Sequence, residues 1–288
     1  MYMTEIVYNI IKKVEGELRM KKRIALAAAA LLTVGLLAGC GGNGGENGEK
    51  GSEQVTVAED KFVVGLDDSI PPMGFKDENG EIVGFDIDLA KAVAEEMGME
   101  VEFKPQDWDG IILSLNKGDV DVIWNAFTIT DARRKEVNFT DAYLANRQVL
   151  TVKDDSEYKT MEDLEGKVLG IQLGSTAEQA LDSHAEFKDS LKEVKAYSNN
   201  VEALMDLDAG RVDTVLLDEV IAKYFISKKD GNYRVLDQDL GKEEYGVGVR
   251  KGDEEFLEKL NEALNKVKNS EKGKEISEEW FTEDILVK

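Results

Sequence analysis

From Phe62 onward, short apolar runs alternate with stretches whose apolar residues recur every three or four positions, the periods of strand and helix. Phe62 to Leu66 reads as a buried strand, and Asp67 to Gly74, with two prolines, as an irregular loop. Asp86 stands where it would cap a helix with Ala90, Val93, Ala94 and Met97 on one stripe, closed by Gly98. Glu100 to Lys104 alternates with Val101 and Phe103 inward, Gly110 to Lys117 forms a short helix ending at Gly118, and Val120 to Asn125 is the next strand. A second series begins near Lys153: strand Val168 to Gln172, a helix from Ser175, strand Glu193 to Ala196, helix Val201 to Ala209, strand Asp213 to Leu217 and helix Glu219 to Ile226. Such alternation predicts an α/β protein of parallel sheets covered by helices, and each series is long enough for its own sheet. Strand Tyr245 to Arg250 and helix Asp253 to Lys268, with Phe256, Leu257, Leu260 and Leu264 on one face, are too little for a third unit and are expected to return to the first.

The first 57 residues follow another pattern. Met20-Lys21-Lys22-Arg23 is a positive segment, and the apolar run Ile24 to Leu37 behind it is about half a bilayer span, the proportions of a signal peptide rather than of a membrane helix. The run ends Leu37-Ala38-Gly39-Cys40, which resembles the lipobox of bacterial lipoproteins, so Cys40 is expected to be lipidated and to become the mature N-terminus. Free cysteine after an ordinary cleavage site is the plain alternative. Cys40 is also the chain's only cysteine, which excludes an intramolecular disulfide and a cysteine-based zinc site. Residues 1 to 19 fit neither a leader nor a packed core, and Glu15-Gly16-Glu17 is encodable by a purine-rich ribosome-binding stretch; translation is therefore expected to start at Met20, which sequencing the unprocessed precursor would test. Gly41 to Glu53 has no apolar residue and reads as a tether.

Composition narrows the function. At 288 residues, with 42% hydrophobic and 33% charged, the chain can bury one large or two modest cores. A formal charge of -23 argues against nucleic acid as a partner, because phosphate binding draws on Lys and Arg. His184, the single histidine, lies in a helical stretch without a partner motif, and the sequence holds no nucleophile elbow, phosphate loop or paired metal ligands. Asp107 and Asp109 are close enough in sequence for acid-base work, but read as solvated loop residues.

Open α/β sheets bind ligands in crevices beyond the carboxyl ends of their strands. That rule selects Asp67 to Phe75, Asn125 to Arg133, Gly174 to Thr176, and Asp218. These segments sit within GLDDSIPPMGFKDENGEIVGFDIDLAKAVAEEMG (65 to 98), DWDGIILSLNKGDVDVIWNAFTITDARR (107 to 134), GKVLGIQLGSTAEQAL (166 to 181) and AGRVDTVLLDEV (209 to 220). In order and spacing this set, within Lys61 to Lys288, resembles the polar amino-acid branch of the periplasmic-type solute-binding proteins.

The resemblance implies a type II periplasmic-binding fold, in which two α/β lobes joined by two strands close over a ligand. Residues 58–147 with 243–288 would form lobe 1 and residues 148–242 lobe 2, after an extension (1–19), a lipoprotein signal peptide (20–39) and a tether (40–57). It further implies that Arg133, with Arg134 as neighbouring alternative, grips the ligand's α-carboxylate, joined by Gly174, Ser175 and Thr176 at a helix N-terminus. A guanidinium fork matches a carboxylate in bidentate geometry. Asp218, with Thr128 and the backbone carbonyl at Asn125, would hold the α-ammonium, and Ala126 is expected among the ligand-binding residues. Since Arg133 and Asp218 come from separate lobes, closure would be coupled to binding.

The side-chain pocket falls to Asp67, Ile70, Trp108 and Asn125. Many relatives carry an aromatic where this chain has Ile70, and Asp67 suits basic and amide ligands alike, so a basic or amide amino acid is expected, with cystine open. Trp124 reads as core. The resemblance implies no cofactor; the partners are a permease and ATPase of the ABC type, and the protein is expected to be a monomer lipid-anchored to the outer face of the cytoplasmic membrane. A cyclohexadienyl-dehydratase-type enzyme and a ligand-sensing domain are alternatives of the same fold.

Overall fold

The computed structural model describes residues 57–228 and 232–288. Residues 1–56, on which the expected leader, the lipobox-like Cys40 and most of the expected tether fall, lie outside it. Strands are β1 (Lys61–Leu66), β2 (Ser69–Ile70), β3 (Gly74–Lys76), β4 (Ile82–Val83), β5 (Glu100–Pro105), β6 (Val122–Ile123), β7 (Val137–Phe139), β8 (Leu144–Lys153), β9 (Val168–Gln172), β10 (Glu193–Tyr197), β11 (Thr214–Asp218), β12 (Tyr233–Tyr245) and β13 (Gly248–Arg250). Helices are α1 (Phe85–Met97), α2 (Ile111–Lys117), α3 (Thr176–Ser183), α4 (Ala185–Ser190), α5 (Asn200–Asp208), α6 (Glu219–Lys228), α7 (Glu254–Lys268) and α8 (Glu271–Phe281).

The strands form two larger sheets, ordered β5-β1-β6-β13-β7 and β10-β9-β11-β8-β12, and a small β2-β3-β4 sheet. In each larger sheet the parallel strands come from consecutive strand-helix units, β1 with β5 and β6, and β9 with β10 and β11. The chain passes from the first sheet to the second between β7 and β8 and returns between β12 and β13. β8 and β12 run antiparallel from Tyr233 opposite Lys153 to Tyr245 opposite Leu144, and a bridge from Tyr245 to Thr128 ties their lower end to the first sheet.

Alternation fixes which face of β11 meets which core: Val215 and Leu217 join the larger core, while Leu216 packs with Leu150, Leu169, Ile171, Ala177 and Leu181 under α3. The larger core also holds Trp124, which is fully buried.

Several sequence expectations change. Asp67 to Gly74 is not a plain loop but contains β2 and the first residue of β3. Val120 to Asn125 pairs as a strand over two residues alone, Val122 and Ile123. Asp86 does not cap α1; Gly84 does, at φ 143°, where a Cβ would lie 2.3 Å from the Met73 carbonyl oxygen. Gly98 closes that helix in the left-handed region at φ 69°, with its N–H on Glu95 O at 3.1 Å and the Met99 N–H on Ala94 O at 2.9 Å. Asp86 sits in the first turn, fully buried, and accepts from the Ala126 N–H at 2.7 Å and the Tyr143 hydroxyl at 3.0 Å. Burial pushes its carboxyl up to about 7.

Candidate ligand-binding cleft

The loops beyond the carboxyl ends of β1, β6, β9 and β11 converge on one small cavity. Ile70, Trp108, Ala126, Thr128 and Arg133 approach it from the side of the first sheet; Gln172, Ser175, Thr176, Asn200, Asp218 and Ile221 approach it from the second. Its volume is about 10 Å³, roughly the space of one water molecule. Beside it lies a wider mouth of about 640 Å³, where Asp67, Asp68, Asp107 and Asp109 face Leu173, Ser198 and Asn199.

Arg133 begins a 3₁₀ turn after the Thr130-Asp131-Ala132 bend and is 6% exposed. Its Nη1 donates to the Thr128 carbonyl at 3.0 Å, and its guanidinium carbon lies 4.4 Å from the Phe127 ring centroid and 5.8 Å from that of Trp108. Burial lowers the guanidinium to about 10, against the opposing pull of Glu243, Asp218 and Tyr245, so it stays charged at neutral pH. A planar fork with most of its donors still free, held over aromatic faces in a desolvated wall, is built to receive an anion. Ala126 holds a left-handed φ of 51° beside it, its N–H pinned by buried Asp86, so that a carboxylate outside the cavity shapes the backbone that lines it.

Asp218 ends β11 and is the centre of a dense network. It accepts from Tyr245 Oη at 2.6 Å, Asn146 Nδ2 at 2.7 Å and Gln148 Nε2 at 3.1 Å. The same two amides donate to Glu243 Oε1, at 2.6 Å and 2.8 Å, and the Thr176 hydroxyl donates to Glu243 Oε2 at 3.0 Å. Burial first, and then the neighbouring Glu243, hold the Asp218 carboxyl well above the usual carboxylate range. Thr128 and Thr176, from opposite sides, bring their hydroxyl oxygens within 3.3 Å.

Three of the residues selected from sequence stand back from the cavity. Asp67 lines the mouth; its Oδ1 accepts from the Ser69 N–H at 3.0 Å and its Oδ2 accepts from Gln172 Nε2 at 2.9 Å, a bond between the two sides of the cleft. Burial raises its carboxyl above the ordinary value. Asn125 is fully buried behind the wall, where its Oδ1 accepts from the Asp67 N–H at 3.1 Å and its Nδ2 has no partner.

Gly174 departs most clearly from the expectation that its N–H faces the crevice: that N–H donates to Glu178 Oε2 at 2.9 Å. Gly174 instead lets the rims approach, at φ 71° with a built Cβ 3.3 Å from Asp109 Cα. Ser175 precedes α3, but its hydroxyl donates back to the Gln172 carbonyl at 2.7 Å rather than capping the helix. His184 ends α3 away from the cleft, with Nδ1 2.8 Å from the Ala180 carbonyl.

Sequence reading missed Gln172, Asn200, Ile221 and the polar set Asn146, Gln148, Glu243 and Tyr245. The last four lie on β8 and β12, strands that link the two sheets and follow no strand-helix alternation. A usable signal was the placement of Asn146 and Gln148 two apart just before the apolar run Val149-Leu150, which puts both side chains on one face.

Residues 62–283 match the bacterial extracellular solute-binding proteins, family 3. The chain is 36% identical over 276 residues to the ABC transporter glutamine-binding protein GlnH of Bacillus subtilis, covering 92% of this chain and 99% of that one. It is 32% identical over 226 residues to the L-cystine-binding protein TcyJ of Escherichia coli, covering 78% and 84%. Among solved structures, an ABC uptake transporter substrate binding protein from Streptococcus pneumoniae with bound histidine superposes with a TM-score of 0.77 at 39% identity, covering 79% of this chain and 95% of that one. Among the described residues no helix is long and apolar enough to cross a membrane.

Proposed function

The chain belongs to the bacterial extracellular solute-binding proteins of family 3, and from that premise we propose that it captures a polar L-amino acid, basic or amide in its side chain, for an ABC importer. The observation that carries this reading is a pair of opposite charges facing one cavity from separate sheets. Arg133, 6% exposed with most of its donors unspent, stands on one side, and Asp218 stands on the other. A free amino acid carries the complementary pair, and it satisfies both walls at once only when the two sides are together. Its carboxylate would take the Arg133 fork, a charge-assisted contact worth roughly 1.5–3 kcal/mol, and its ammonium the Asp218 side.

Names of relatives support the amino-acid class and span glutamine, cystine and arginine, so they do not choose a side chain. The side-chain preference rests on Asp67 in the mouth and on the flat wall of Trp108. In this reading the protein works outside the cytoplasmic membrane as a monomer, tethered through lipid on Cys40, and hands its ligand to a permease and ATPase.

Calorimetric titration of the purified domain with each of the twenty common amino acids and cystine tests the function. Micromolar or tighter binding of at least one, about 8 kcal/mol or more, is expected. No heat with any of them at pH 7.5 overturns the reading. Mass spectrometry of the mature N-terminus tests the anchor: a diacylglyceryl adduct on Cys40 is expected, and an unmodified cysteine removes it.

A further inference from the structure

Glu243 has no part in the function so far derived, yet it shares its hydrogen-bond donors with Asp218. Asn146 Nδ2 lies 2.7 Å from Asp218 Oδ1 and 2.6 Å from Glu243 Oε1, and Gln148 Nε2 lies 3.1 Å and 2.8 Å from the same two oxygens. Two nitrogens each within hydrogen-bond reach of both oxygens force the carboxylates into one small space. Among the described residues no Lys or Arg forms an ion pair with either of them.

The surrounding groups do not supply the missing positive charge. Tyr245 and Thr176 are neutral donors to the pair. Arg133 faces it from across the cavity, while Arg147, on the opposite face of β8, is engaged by Glu219 at 2.8 Å and Asp239 at 3.1 Å. Lys223 is likewise taken by Glu219, at 3.2 Å. Gln148 is 2% exposed and spends its NH2 on Thr176, Asp218 and Glu243, which leaves its Oε1 as a further acceptor with no partner. The whole pole is thus rich in acceptors and short of cations.

Two carboxylates so placed cannot both ionise without a compensating charge. We propose that Asp218 and Glu243 share one proton, and that the ligand's ammonium takes over that proton's place, so each binding event releases a proton to solvent. The ammonium keeps its own three hydrogens; the carboxyl O–H is the bond that breaks, and the two carboxylates then face a cation in place of a proton. Glu243 acts through Asp218 and is a positioning residue that ties affinity to pH: protons compete with the ammonium, so binding weakens as pH falls. This inference rests on the receptor reading, since Asp218 is its ammonium site.

The test has one measurement without ligand and one with it. Without ligand, the pair's shared proton stabilises the folded state below the raised carboxyl and is lost as pH rises, so wild type should lose more stability than Glu243→Gln between pH 5 and pH 8 in urea unfolding. Asp86 contributes equally to both chains and cancels. Equal slopes overturn the shared proton.

With L-arginine as the probe, and L-glutamine beside it, wild-type affinity should fall about a hundredfold between pH 7.5 and pH 5.5, about tenfold per pH unit for one proton released, and that of Glu243→Gln by less than about threefold. Calorimetry in phosphate and Tris should show proton release in wild type that is absent from the variant. Glu243→Asp, which keeps the carboxylate, should retain the pH dependence. Binding with no proton release overturns the exchange. If the ligand-free slopes differ but no amino acid binds, the receptor reading falls, and the exchange falls with it, while the shared proton stands.

Discussion

The two walls of the cleft meet a ligand in opposite states of readiness. On the first-sheet side, Arg133 is a single cation over Phe127 and Trp108, with one hydrogen bond to the Thr128 carbonyl and the rest of its fork unspent. On the second-sheet side, Asp218 is already enclosed by Tyr245, Asn146 and Gln148 and doubled by Glu243. An anion arriving at the first wall finds free donors in a low-dielectric site and displaces little. A cation arriving at the second must enter a network whose hydrogen bonds are made. The contrast teaches that the two walls should respond differently to the loss of one residue, because one pole has a single ionisable group and the other has two.

The largest effect is therefore expected at Arg133. Arg133→Ala removes the one cation that the described residues place on the first wall and leaves a ligand carboxylate without a counter-charge, at a cost of about 2–5 kcal/mol, roughly thirtyfold or more in affinity. Arg133→Lys should recover only part of it, since an ammonium cannot fork. Asp218→Asn should cost less, about tenfold, because Glu243 remains in the same network. Titration of the three variants at pH 7.5 checks the order. A greater loss at Asp218 than at Arg133 would break the comparison.

A stability effect of intermediate size separates the wall from its support. Asp86 lies behind the first wall, holding Ala126 and Tyr143, and its folded carboxyl stands near 7 against an ordinary value near 4. The folded protein thus prefers it protonated: its contribution is intact below about pH 4 and is lost as pH rises through about 7, an upper limit of about 4 kcal/mol. Asp86→Asn cannot ionise and should flatten urea-unfolding stability between pH 4 and pH 7.5. A slope equal to that of wild type would place the titration elsewhere.

Legibility in the sequence followed the same divide. The strand-helix units announced themselves because β1, β9 and β11 are apolar runs followed by amphipathic helices, so the crevice rule selected Arg133, Thr176 and Asp218, and the family resemblance added Trp108; the fold brings all four to one cavity. What stayed hidden is carried by long-range pairing. Glu243 reaches Thr176 across 67 residues and Asn146 across 97, on a strand whose ladder partner, β8, lies far back in the chain. Asp86 was mistaken for a cap because a carboxylate at a helix start usually is one; what redirects it is Gly84, whose close approach to Met73 no local pattern reveals.

The smallest effect should come from Asp67, where the two walls touch. Its Oδ2 accepts from Gln172 Nε2 across the cleft, while its Oδ1 is held by Ser69, so Asp67→Asn keeps the shape of the mouth and changes its charge. If the ligand's side chain extends toward the mouth, a cationic one loses an attraction there and a neutral amide loses none. L-Arginine affinity should then fall about three- to tenfold, the range of a partly screened charge contact of about 1 kcal/mol, while L-glutamine affinity moves less than twofold. Competition titrations of the two ligands against wild type and Asp67→Asn measure that ratio directly. Equal losses for both would mean that Asp67 serves only to join the walls through Gln172, and side-chain selection would then have to come from Trp108 and Ile70, whose apolar faces lie deeper in the same cavity.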